Sequence, residues 1–150
     1  MAQLDWELVF SYGQAVDGTN ETTVSTNFLK LADNNPTFQV GTVNSDRGST
    51  PQKTEIEVRV GTALTGGTSL QVQLWGSNDA AFSAETQIAA SVAVPIASLR
   101  LGYIFNIPDC FPERSNFKFF RLKYVGVGTI TAGAINAYVL HSRQSSIVAA

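Results

Sequence analysis

Seven residues alternate without error at Thr54-Glu-Ile-Glu-Val-Arg-Val60. Thr54, Ile56, Val58 and Val60 fall on one side, and Glu55, Glu57 and Arg59 on the other. That is the period-two pattern of a strand with one buried face. Ser69-Leu-Gln-Val-Gln-Leu-Trp75 repeats it, with Leu70, Val72 and Leu74 inward and Trp75 at the outward end. Gly66-Gly67 marks a turn within the link 61–68, so the two strands form a hairpin or join across a sandwich. Residues 117–127 set Phe120, Leu122 and Tyr124 against Phe119, Arg121, Lys123 and Val125, and Gly126 and Gly128 punctuate the turn that follows.

The strand 129–140 is apolar on both faces, which leaves its core side open. Such a strand calls for a second cover, from a neighbouring subunit or from a loop of its own chain. Weaker strands fall at 7–11, 26–31, 88–94 and 101–107, the last with Leu101, Tyr103, Phe105 and Ile107 on one face. Residues 17–22 and 34–52 are rich in turn formers. No helical period outlasts two turns, and 78–85 has room for one short helical turn. The pattern predicts an all-β, single-domain β-sandwich, jelly-roll-like, of seven to nine short antiparallel strands. It would occupy residues 1–140, with 141–150 as an exposed tail. Periodicity also allows an immunoglobulin-like sandwich, but the Cys-Trp-Cys marker of that fold is missing.

At 150 residues the chain has the length of one domain with a real core. Charged residues are only 15% of it, against about 25% in a usual globular protein. The surface is therefore neutral and polar, and costs little to desolvate against a partner. The net charge of −2 and the lone positive stretch of Lys118, Arg121 and Lys123 argue against nucleic acid as a partner. No apolar run reaches the length of a membrane span. The segment Met1-Ala2-Gln3-Leu4-Asp5-Trp6 has neither the charge nor the apolar run of a signal peptide. With one cysteine, Cys110, the chain has no internal disulfide, and a reducing compartment is expected.

Little in the sequence has the form of catalytic machinery. One histidine, His141, and one cysteine make neither a metal-ligand cluster nor a nucleophile–base pair. No cofactor is expected. The loops 17–21 and 44–48 are oxygen-rich but lack calcium-loop spacing. Glu55 and Glu57 share a strand face about 7 Å apart, near the separation of paired glycosidase carboxylates; a hydrolase is the least favoured reading. Aromatic residues are the better candidates. Trp6, Phe10, Tyr12, Trp75, Phe119 and Tyr138 are read as an interface set that anchors a protein partner, or else as aromatics that cover the end of the sandwich. Outward Trp75 also allows a carbohydrate-binding sandwich of a phage fibre or secreted glycosidase.

Five segments carry a family resemblance. Leu8-Val-Phe-Ser-Tyr-Gly-Gln-Ala-Val16, Ser25-Thr-Asn27, Gly67-Thr-Ser-Leu-Gln-Val-Gln-Leu-Trp-Gly-Ser-Asn-Asp-Ala-Ala-Phe-Ser83, Phe120-Arg-Leu-Lys-Tyr124 and Thr129-Ile-Thr-Ala-Gly133 occur in order along the chain. The set resembles the jelly-roll cement (decoration) proteins of tailed-phage heads, of the Bordetella-phage type. Tyr12 and Lys30 depart from it, each standing where an acidic residue is expected. The resemblance implies a non-enzymatic virion protein on the outer surface of the head, made in the host cytoplasm. Its implied partners are the major capsid protein and itself, as a homodimer before a trimer, and it carries over no catalytic residue.

Overall fold

The computed structural model describes residues 9–30, 55–107 and 117–140. Trp6, Cys110, His141, the stretch 34–52 and the tail 141–150 lie outside these residues. The strands in chain order are β1 (Val9–Ala15), β2 (Gly18–Thr19), β3 (Thr22–Val24), β4 (Leu29–Lys30), β5 (Glu55–Gly66), β6 (Ser69–Ser77), β7 (Glu85–Ala90), β8 (Val94–Pro95), β9 (Ile104–Phe105), β10 (Phe119–Val127) and β11 (Thr129–Leu140). They form two antiparallel sheets. The first runs β1-β11-β5-β9, with β2 also on β11. The second runs β3-β10-β6-β7, with β4 also on β10 and β8 also on β6.

Taking β3 with β4 and β7 with β8 as broken strands, and setting β2 aside, leaves eight strand positions. In chain order the sheets then read 1-8-3-6 and 2-7-4-5, the double Greek key of a jelly roll. This is the expected sandwich.

The alternating segments take the faces their period dictates. Val58, Val60, Leu70, Val72, Leu74, Leu122 and Tyr124 are fully buried, and one core cluster joins the two sheets. Gly66 and Gly67, both with positive φ, carry the chain from β5 in one sheet to β6 in the other. The link is thus the cross-sandwich connection, not a hairpin.

Boundaries differ from expectation in several places. β5 continues to Gly66, through residues read as loop. The strand expected over 101–107 shrinks to Ile104–Phe105, because Leu101 sits in a turn and is 72% exposed. Residues 78–84 form turns without helix, and a 3-10 turn falls at Ile96–Ser98. The turn-rich stretch 17–22 holds β2 and the start of β3.

The two-faced apolarity of β11 has a local cause. Ile130 is buried, and so are Ile135, Ala137 and Val139, so the inward parity changes from even to odd. Register shifts against β5 between Ile130 and Ile135 make the change. Gly133, at φ +146°, stands at this bulge, where a Cβ would lie 2.5 Å from Leu64 Cγ.

One side of the sandwich is closed by the Ser25-Thr-Asn27 corner between β3 and β4. Asn27 donates its backbone N–H to Phe10 O (2.9 Å) and its side-chain amide to Val9 O (3.2 Å), which joins the corner to β1. Ser25 donates its N–H to Leu122 O (2.8 Å), and its Oγ accepts the Leu122 N–H (3.1 Å). The Gln14 side chain accepts from Ser11 Oγ (2.6 Å) and Thr26 N–H (2.9 Å), and donates to Val24 O (2.6 Å).

Beneath the corner, the Tyr124 hydroxyl of the second sheet hydrogen-bonds Ser11 Oγ of the first (2.8 Å). Burial pushes the Tyr124 hydroxyl well above the usual phenol range, against a smaller lowering by Ser11, so it stays protonated. Tyr124→Phe removes this cross-sheet bond but leaves Ser11 bonded to Gln14. The expected loss is about 1–2 kcal/mol, read from urea unfolding.

Candidate functional site

The aromatic set read from the sequence does not gather in one place. Phe10 is 1% exposed and belongs to the core, because β1 turns it inward; it is not an interface residue in this fold. Trp6 lies outside the described residues. Tyr12, on β1, is 67% exposed. Tyr138 lies half-buried on β11 in the first sheet, and its hydroxyl donates to Glu57 Oε1 (2.7 Å). Trp75 and Phe119 stand on the outer face of the second sheet.

Glu57, expected on an open strand face, is only 6% exposed. Its Oε1 also receives Arg59 Nη2 (2.8 Å). With the tyrosine and the guanidinium on one oxygen, this carboxylate is part of a side-chain network on the first sheet.

The outer face of the second sheet holds the denser cluster. The β10–β6 register pairs Phe119 with Ser77, Arg121 with Trp75, Lys123 with Gln73 and Val125 with Gln71. Paired residues share a face. At one end Phe28, Phe82 and Phe119 meet edge to face, with centroids 5.7–6.4 Å apart. Phe82 reaches this face because of the Ser-x-Asp-x-x-Phe turn. Asp79 accepts the Ala81 N–H (3.0 Å) and Ser83 Oγ (2.5 Å), and Ser77 Oγ accepts the Asp79 N–H (3.1 Å). Ser83 first, and then the backbone at Ala81, hold the Asp79 carboxyl below its usual range.

Next comes a charged row. Glu85 Oε2 receives Arg121 Nε (2.9 Å) and Nη2 (2.6 Å), and its Oε1 receives the Lys123 ammonium. Arg121 lies 4.3 Å over the Phe82 ring, and Lys123 lies 4.1 Å over the Trp75 ring. One carboxylate thus serves both cations. Neither is fully solvated: their side chains are 21% and 15% exposed.

Burial pushes the Glu85 carboxyl up, but hydrogen bonds and Coulomb attraction from Lys123 and Arg121 outweigh it and leave it below the ordinary 4.5. A lowered folded-state value gives stability that is complete above the unfolded-state value and is lost as pH falls through the folded one. The urea midpoint gap between wild type and Glu85→Gln should therefore be full at neutral pH and close progressively below the ordinary 4.5.

Beyond Trp75 lies a row of amides. Trp75 Nε1 donates to Gln73 Oε1 (2.9 Å), Gln73 Nε2 to Gln71 Oε1 (3.0 Å), and Gln71 Nε2 to Ser91 O (2.9 Å). Strand parity turned Trp75 outward on one strand and put Phe119, Arg121 and Lys123 on one face of another. It could not supply Phe28 and Phe82, which arrive from loops, or Glu85, which arrives with β7. Among the described residues no group of three or more His, Cys, Asp or Glu side chains could hold a metal ion. No helix there is long and apolar enough to cross a membrane.

The topology and this side-chain-rich sheet face define a jelly-roll module whose candidate site is a sheet face. The chain belongs to the Bbp16 family, a Bordetella-phage protein family whose model matches residues 10–139. No curated protein matches it.

Proposed function

We propose that this protein cements a tailed-phage head. It binds the outer surface of the shell and bridges neighbouring major capsid protein subunits. It does so as a homo-oligomer, a dimer before a trimer. Membership of a phage family over residues 10–139 is the observation that carries this reading. The fold supports it, since jelly rolls are common in capsids. So does the low charge, because a neutral polar surface is cheap to desolvate. Many copies on a repeating lattice turn a weak single contact into firm attachment.

The test is co-sedimentation with mature tailed-phage heads of the source phage assembled without this protein. The protein is expected to pellet with heads at micromolar concentration and to saturate at a fixed ratio to the shell subunit. Protein that stays in the supernatant over that range contradicts the proposal.

A further inference from the structure

The geometry points to a second binding site, for a neutral glycan, on the amide row Gln71–Gln73–Trp75 of the second sheet. A pyranose presents an apolar C–H face and a rim of hydroxyls that both donate and accept. Its recognition needs an aromatic wall beside groups that can do both, and side-chain amides are such groups.

The row supplies them in order. Gln71 and Gln73 each spend one N–H and one oxygen lone pair within the row. Among the described residues each keeps one further N–H and one further lone pair. The amides are fixed before any ligand arrives, which lowers the entropy cost of binding.

Register shapes the surroundings. Ala90 pairs with Gln73 on the β7 side, so the amide row is flanked there by a side chain that cannot cover it. Trp75 closes the end of the row. Gln87, exposed, stands beside Trp75 on one flank and Arg121 on the other. Charge selects the ligand class. The groups the row offers, two amides and an indole, are neutral, and both neighbouring cations are already engaged by Glu85, so the occupant is uncharged. This inference does not rest on the shell reading, because its readout is glycan binding.

The full chain, labelled, is applied to an array of neutral hexose and N-acetylhexosamine oligosaccharides beside sulfated and uronic-acid glycans. Head co-sedimentation of every variant is measured in parallel. Binding to a subset of neutral glycans is expected, weakened about tenfold or more in Trp75→Ala and in Gln73→Ala. Gln71→Ala, with a melting curve matched to wild type, guards against misfolding as the cause and should weaken binding in the same way. Three outcomes overturn the proposal: no glycan bound by the folded protein, binding confined to anionic glycans, or neutral binding that survives all three substitutions. Loss of head binding in these variants, without glycan binding, assigns the row to the shell instead and overturns it too.

Discussion

Replacing Gly133 with valine should collapse the stability of the protein, lowering its melting temperature by about 10 °C or more or preventing recovery of folded material. Two effects combine. At φ +146° a side chain is strained, by about 1–3 kcal/mol. The new Cβ would also meet Leu64 at 2.5 Å from Cγ and 3.0 Å from Cα, and the backbone atom cannot step aside. Overpacking of this kind costs about 1–3 kcal/mol more. The whole fold of such a domain rests on about 5–15 kcal/mol. Ala132→Val, one residue away and exposed, is the control and should change stability by no more than about 0.5 kcal/mol. Circular dichroism melts of the two variants decide the matter. An unchanged melt for Gly133→Val would mean that the β11 bulge is not built as described.

Leu122→Ala is the second large effect, with an expected loss of about 3–5 kcal/mol. Leu122 is fully buried and lies opposite Leu74, also fully buried, in the β10–β6 register. The upper part of the known range is expected because the backbone there is held from the other side. Ser25 bonds both the carbonyl and the N–H of Leu122, so the strand cannot relax into the cavity. A urea titration measures it. A loss under about 1 kcal/mol would show that the corner yields.

Fold class was legible because β5, β6 and β10 each bury one face, and a half-buried strand writes its orientation into its sequence. The strand β11 was legible as a strand but not in its orientation. Its parity changes at the bulge, and a bulge is a relation to the partner strand, not a pattern within one strand. Phe10 was misread as an interface residue because aromatics near a chain end serve core and surface alike. Only the pairing of Val9 with Tyr138 and Ser11 with Ala137 fixes its direction.

The candidate face was half visible. Trp75, Phe119, Arg121 and Lys123 followed from alternation in two strands whose pairing the sequence did not state. Phe28 and Phe82 come from connections, and the burial of Glu57 under an outward parity depends on neighbours that periodicity does not see. The family segments gain physical meaning in the structure. Ser25-Thr-Asn27 closes one side of the sandwich, and Ser77 to Ser83 brings Phe82 onto the outer face.

The central claim is that the protein strengthens a shell, which asks more than binding. The direct measurement is the temperature at which DNA-filled heads lacking the protein release their genomes, followed by a DNA-binding dye as purified protein is added back. The account predicts that the release temperature rises with added protein and levels off when the head sites are full. A protein that saturates the heads and leaves the release temperature unchanged would contradict it.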